Sequence, residues 1–355
     1  MKHKRLFALA LVLCMALPLA ACNLKLKPAA TWEGLRTSLD GLQFGGGEAV
    51  QGSGNVVDAE TLLPADLDGV ALRVEGFSIR GKGSPELALV IDESLDRKIV
   101  LSADDNIVKR ISVRYDAAAG KIYVGPEDHR EVFSPTKIRV TVGAPVRELV
   151  ADGLWKISYD CPSVKNFSVT VDGTVNGDFT FGALDRLDML FGGLSTIDMK
   201  CQSVKDCILG VDGTLNGKFD FGAMDRMDVN ACGLSTIDMT CQSVKDCKLY
   251  VDGSLNGKCD FGEMDSIDAT ISGLGTLRLA GTARRAALRI EGGGSISAYD
   301  LTAQDAVVSI EGLGHCEITA ERSLDASIDG AGSILHDGDA KVTKRNDGLG
   351  SIRHR

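Results

Sequence analysis

The segment Cys161-Pro162-Ser163-Val164-Lys165 returns as Cys201-Gln202-Ser203-Val204-Lys205 and again as Cys241-Gln242-Ser243-Val244-Lys245, a repeat of 40 residues. Each unit divides into two halves of 20 that align with one another. Glycine holds the same place in six successive halves, at Gly173, Gly193, Gly213, Gly233, Gly253 and Gly273. Three apolar columns run in step with it. One holds Phe167, Leu187, Cys207, Met227, Cys247 and Ile267; the others begin at Val169 and Val171. The columns sit at alternate residues, the period of a strand with one buried face.

The charges constrain how the halves meet. Lys165, Asp185, Lys205, Asp225, Lys245 and Asp265 alternate in sign at steps of 20. Two further columns, Arg186, Asp206, Arg226, Asp246 and Asp198, Lys218, Asp238, Lys258, do the same. This order is expected if residues 20 apart are neighbours at the interstrand spacing of about 4.8 Å. Opposite charges facing across strands are favourable by roughly 0.2–1 kcal/mol per pair. Exposed pairs are individually weak, but together they fix register, because a slip of one coil would set like charges against each other. An αα-solenoid needs helical spacing, and a four-stranded propeller blade does not generate alternation at 20.

The pattern therefore predicts an all-β chain: a right-handed, single-stranded parallel β-helix with coils of about 18–20 residues. The hand follows from the preference of crossover connections. Cys161, Phe181, Cys201, Phe221, Cys241 and Phe261 alternate small and large, as a narrow interior requires. The spelling loosens later, at Gly292-Gly293-Gly294-Ser295-Ile296, Gly312-Leu313-Gly314, Gly330-Ala331-Gly332-Ser333-Ile334 and Gly348-Leu349-Gly350-Ser351-Ile352, and the step shortens towards 18. Glycine is expected where each coil turns a corner in a conformation barred to residues with a Cβ. Roughly ten coils would make a rod about 50 Å long. The regular helix is assigned to residues 151–355, with the double-coil repeats at 161–280. Residues 45–150 alternate less cleanly and are read as imperfect opening coils that cap the stack, since an open end exposes unpaired edges.

The recurring Gly-x-Gly-Ser-Ile elements resemble the family of putative autotransporter adhesins with a head GIN domain. Phe44-Gly45-Gly46-Gly47, Val70-Ala71-Leu72-Arg73-Val74-Glu75-Gly76, Ala103-Asp104-Asp105-Asn106-Ile107 and Lys137-Ile138-Arg139-Val140-Thr141-Val142 agree with it. The resemblance covers about residues 44 to 355. The run of near-identical coils between about 161 and 280 is longer than the family pattern requires. What it implies is a β-helical surface domain with no assigned catalytic residues.

The first residues read as an address. Lys2, Lys4 and Arg5 precede an apolar run from Leu6 to Leu17, then Leu19-Ala20-Ala21-Cys22. A basic start, a short apolar core and small residues before a cleavage point describe a secretory signal over 1–21. The placement of Cys22 resembles the lipobox of bacterial lipoproteins, in which the cysteine is lipidated and becomes the new amino terminus; several acyl chains give stable anchoring. Asn23 is compatible with the outer membrane, and residues 22–44 read as the anchored tether. The mature chain would carry 36 basic against 49 acidic side chains, a formal −13. Such a balance argues against nucleic acid as a partner.

Candidate chemistry is sparse. The cysteines at 161, 201, 207, 232, 241, 247, 259 and 316 are expected mainly as small core hydrophobes. Cys201 with Cys207 and Cys241 with Cys247 are the candidate local bridges. Zinc is not expected without a Cys-x-x-Cys pair. His129, His315, His336 and His354 read as scattered, and His315 and Cys316 would point to opposite faces. The Asp-Gly and Asn-Gly pairs at 172–173, 212–213, 252–253, 176–177, 216–217 and 256–257 suit turns better than calcium. No cofactor, metal or catalytic residue is assigned. The expectation is a non-enzymatic envelope scaffold, anchored to the membrane through Cys22, that binds glycan or protein. A polysaccharide lyase or hydrolase, or a periplasmic envelope-maintenance factor, is the alternative.

Overall fold

In the computed structural model the chain is described over residues 50–63, 69–76, 79–80, 87–127, 132–133 and 136–355. Cys22, the tether, Phe44 to Gly47, His129 and Ser134-Pro135 lie outside them.

Stacked parallel coils form a β-solenoid of about ten turns. Its regular part is a succession of eighteen-residue strands, Thr174–Phe191, Leu194–Val211, Thr214–Ala231, Leu234–Val251 and Ser254–Ile271. Residue i lies beside residue i+20, as in Phe179 against Met199 and Val229 against Leu249. Side chains alternate inward and outward except at three places per coil, where the alternation breaks and the strand bends. In the first of these coils the bends fall at Gly182-Ala183, Asp185-Arg186 and Gly192-Leu194. The step drops to 19 after Asp260, where Lys258 pairs with Arg278 but Met264 with Ala283. It drops to 18 near the end, with Ile318 beside His336.

The interior is continuous and apolar. Cys161, Phe181, Cys201, Phe221, Cys241 and Phe261 are all buried and stack as the expected small–large column. Tyr159, Phe167 and Phe181 meet with ring centroids 4.7–5.3 Å apart. Aromatic contacts of this kind contribute beyond their buried area. The Tyr159 hydroxyl donates to the Val146 carbonyl at 2.6 Å and accepts from its N–H at 2.9 Å, so this buried hydroxyl is satisfied as donor and as acceptor.

The glycine column is required for a different reason from the expected one. None of Gly173, Gly193, Gly213, Gly233, Gly253 or Gly273 has a positive φ. A Cβ at any of them would instead strike the backbone one coil earlier. At Gly193 it would lie 1.8 Å from the Gly173 oxygen, and at Gly233 1.8 Å from the Gly213 oxygen. The contact continues through Gly312 on Gly292, Gly330 on Gly312 and Gly348 on Gly330, at 2.0–2.3 Å. A second close approach repeats every 40 residues within the double-coil repeats: a Cβ at Gly222 would lie 1.8 Å from the Gln202 oxygen, and one at Gly262 2.1 Å from that of Gln242; beyond them the next coil already repeats it, Gly281 on the Gly262 oxygen at 2.5 Å. One coil of each pair must lack a Cβ at this bend, while the other accepts Pro or Gln.

The opening segment departs from simple coils. Val70–Glu75 and Leu87–Asp92 pair in parallel with the rod, against Val146–Asp152 and Leu154–Cys161. Lys98–Asp104, however, runs antiparallel to both Val56–Leu62 and Ile138–Val142, and Ile111–Asp116 forms a hairpin with Lys121–Pro126. The reason is local. Asp116 Oδ1 accepts from the N–H groups of Ala118 and Ala119, and Gly120 takes φ 60°, closing a tight turn available only to antiparallel neighbours.

Two adjacent glycines test the steric column. Gly193→Ala is expected to cost about 1–3 kcal/mol or more, as overpacking against rigid backbone does. Gly192→Ala, whose Cβ would approach nothing nearer than 3.4 Å, is expected to stay within about 0.5 kcal/mol. Denaturant midpoints of the two variants check this, and equal midpoints would contradict it.

Candidate functional site

Outward side chains on one bend form a charged ladder beside a longitudinal groove. Lys205 Nζ lies 2.7 Å from Asp185 Oδ1, and Lys245 Nζ 2.6 Å from Asp225 Oδ1; Arg284 Nε continues the series 3.3 Å from Asp265 Oδ1. The pairs are discrete, each cation reaching the carboxylate one coil before it. Lys165 begins the row, its carbonyl accepting from the Asp185 N–H at 2.7 Å. The lysines hold Asp185 and Asp225 below the ordinary carboxylate range, chiefly by direct hydrogen bonding. In the second column Arg226 approaches Asp206 at 3.9 Å, whereas Arg186 turns to Asp188 on its own strand at 2.7 Å. The third column is in register, Asp198 beside Lys218 and Asp238 beside Lys258, but its side chains form no ion pair among the described residues.

The groove runs past Ala183, Ser203, Ala223 and Ser243, whose short side chains leave space against the ladder. It widens to about 630 Å³ where the register shifts, between Lys245 and Glu321. There Glu263, Thr282 and Thr302 replace the small residues, Gln304 follows Arg284 in the ladder column, and Glu263 and Glu321 form no ion pair among the described residues. No aromatic side chain lines it.

The thiols are sealed from chemistry. Cys201, Cys207, Cys241, Cys247, Cys259 and Cys316 are free and buried, Cys161 is buried with them, and Cys232, expected as a core thiol, is instead disulfide-bonded. The candidate bridges Cys201–Cys207 and Cys241–Cys247 are therefore absent: the sulfurs pack as core atoms. Desolvation is the main cause raising the thiol pKa of Cys201, Cys207, Cys241, Cys247 and Cys316, and pushes Cys259 to about 12. A buried thiol held in its protonated form is a poor nucleophile at neutral pH. No group of three or more His, Cys, Asp or Glu among the described residues is placed to hold a metal ion.

The last coils gather histidines that the sequence leaves scattered. Coils of 18 residues bring His336 beside His354, ring centroids 5.1 Å apart. His336 is buried, its Nε2 has no hydrogen-bond partner, and burial lowers its pKa. The Tyr299 hydroxyl donates to Asp337 at 2.6 Å, and the Arg355 guanidinium lies 4.1 Å over the Tyr299 ring. Ser333 Oγ sits 2.7 Å from His315 Nδ1, and His315 Nε2 is 3.5 Å from Glu317. This has the connectivity of a hydrolytic triad but not its surroundings. The Ser333 N–H is committed to the Gly314 carbonyl at 3.0 Å, so it is not available to stabilise an oxyanion. Cross-coil packing of polar side chains accounts for the contact.

The coils thus stack as a solenoid whose ladder carboxylates at Asp185 and Asp225 face cations and whose described free thiols are buried. The chain belongs to the family described as "Putative auto-transporter adhesin, head GIN domain", whose model matches residues 82–275 and again 238–340. No protein of curated function matches it. Among solved structures it is similar to a putative adhesin from Bacteroides fragilis NCTC 9343, at 17% identity over 86% of this chain and 100% of that one, TM-score 0.30. A putative adhesin from Parabacteroides merdae ATCC 43184 gives 17% identity, 87% and 100% coverage and a TM-score of 0.32. A protein from Parabacteroides distasonis ATCC 8503 described as a putative lipid binding protein gives 18%, 87%, 100% and 0.30.

Two predictions follow from the site's electrostatics. The six free thiols among the described residues are expected to resist a thiol reagent in the folded protein and to react together on unfolding; rapid native labelling of Cys201 or Cys241 would contradict their burial. The second concerns acid. Asp185, Asp225 and Asp337 are depressed, and Asp305, which accepts hydrogen bonds from Arg322 and Ser323, lies at about 2. A depressed carboxylate stabilises the fold above its unfolded pKa of about 3.9, and this is lost as pH falls through the native value. The Tm is expected to hold down to about pH 5 and to fall below about pH 4. The fall should be shallower in Asp185→Asn/Asp225→Asn, and an unchanged slope would remove the ladder from the account.

Proposed function

We propose that this protein is a non-enzymatic, adhesin-like scaffold of the cell envelope, held at the outer membrane through a lipidated Cys22, that presents the long faces of its solenoid to glycan or protein. The observation that carries this reading is the commitment of its reactive groups. Ladder carboxylates face cations, the free thiols are buried, and the Ser333–His315–Glu317 contact lacks an available Ser333 N–H. A hydrolase or lyase needs the opposite: charged groups held free and aimed into a cleft. The groove offers hydroxyls, an amide and carboxylates along several coils, suited to an extended ligand held by many weak contacts.

Anchoring and binding are tested separately. Cells expressing the full chain are expected to incorporate a labelled fatty acid into it, and Cys22→Ser is expected to abolish the label and release the protein from the membrane fraction. Purified Cys22→Ser protein, screened on a glycan array and in a reducing-end assay, is expected to bind without cleaving. Release of reducing ends from any polysaccharide would overturn the non-enzymatic reading.

A further inference from the structure

Six leucines stand in the solvent along one edge of the rod. Leu154, Leu194, Leu234, Leu274, Leu313 and Leu349 each follow a glycine of the close-packed column and are 56–94% exposed. They occupy every second coil, a spacing of about 10 Å at the interstrand distance. The intervening coils carry small residues at the same place: Thr174, Thr214, Ser254, Gly293 and Ala331. Burial does not explain the leucines, because these side chains contribute little to the core. Scattered exposed leucines are ordinary, whereas a collinear row marks an interaction surface.

The same edge carries charge of one sign. The residues just before the glycine column include Asp172, Asp212, Asp252, Glu291, Glu311 and Asp329, and no Lys or Arg occupies the row between 152 and 347. Asp212, Asp252, Glu291 and Glu311 form no ion pair among the described residues. The ladder on the other bend pairs its charges coil by coil; in this row Asp347 pairs with Arg345, while the central carboxylates from Asp212 to Glu311 face no cation within ion-pair distance among the described residues.

We propose that the leucine edge is a docking surface for a basic amphipathic helix of a partner protein. A second copy of this chain would set one acidic row against the other, and an anionic bilayer would be repelled. Charge complementarity calls for cations flanking an apolar stripe. The pitch favours a helix: one heptad advances about 10.5 Å, close to two coils of the rod. An extended strand presents same-face side chains about 6.8 Å apart, out of step with the leucines. The glycine contacts beneath hold the edge rigid, so little ordering is needed on docking. The inference rests on the binding-scaffold reading but uses a different edge from the groove.

The test uses the soluble Cys22→Ser chain and a synthetic helix of Lys and Leu with leucines on a heptad stripe, followed by fluorescence anisotropy. Binding is expected, weakened by salt, and absent for a helix with Glu in place of Lys. Leu194→Ser/Leu234→Ser/Leu274→Ser/Leu313→Ser is expected to keep the wild-type Tm and lose affinity at least tenfold. Asp212→Asn/Asp252→Asn/Glu291→Gln is expected to lose affinity and most of the salt dependence. Equal binding by the leucine variant, or no binding by the parent chain, would overturn the proposal. So would leucine-dependent dimerisation in sedimentation, or leucine-dependent binding to phosphatidylethanolamine–phosphatidylglycerol vesicles. Glycan binding in the groove is read independently, so a negative result here leaves the scaffold reading standing.

Discussion

Along one corner of the rod glycine rests on glycine, coil after coil. At the Asp-Gly and Gly-Gly corners the backbone of each coil rests so near the carbonyl of the coil before it that no Cβ fits between them. The hydrogen-bonded ladder sets the rise per coil, and the corner must comply or the flanking strands lose their pairing. Because the column persists after the step falls from 20 to 18, it is the fixed axis about which coil length varies. The later coils shed residues at the other bends instead, as the shifts after Asp260 and Ala298 show.

Charge adds selection between registers rather than much strength. The Lys205–Asp185 and Lys245–Asp225 pairs are exposed, and solvent screens them. Their value lies in the alternatives they penalise. A one-coil slip would bring Asp to Asp and Lys to Lys along the whole ladder, and repulsion summed over many coils decides a register that apolar columns of similar size would leave open.

The solenoid was legible in the sequence because residues 20 apart are physical neighbours there, so packing is written as periodicity. The ladder at Lys165 to Asp265 could be read for the same reason. The role of Gly193 and its equivalents was legible as a position but not as a cause, since a repeated glycine does not distinguish a left-handed corner from a close approach. The antiparallel strands around Lys98–Asp104 carry alternation like any other, and nothing in alternation fixes strand direction. His336 and His354 are neighbours only through an 18-residue step, invisible to a search tuned to 20. The leucine edge was present in the sequence as Gly-Leu at 153–154, 193–194, 233–234 and 273–274. A reading that assigns apolar residues to the core does not look for them outside.

Four features alternate with a common period of two coils. The coil with Leu194 carries Cys201, Gln202 and Lys205; the coil before it carries Thr174, Phe181, Gly182 and Asp185. Interior volume requires Cys against Phe, the bend requires Gly against Gln, and the ladder requires Lys against Asp. None of these can change phase alone. Removing one coil would stack Phe on Phe and Asp on Asp, or else Cys on Cys, Lys on Lys and Gln carbonyl on Gln Cβ, while removing two would restore every contact. The structural unit of this rod is therefore the pair of coils. Within the double-coil repeats its length can change only in steps of 40 residues, and the leucine spacing there follows the same rule that packs the interior.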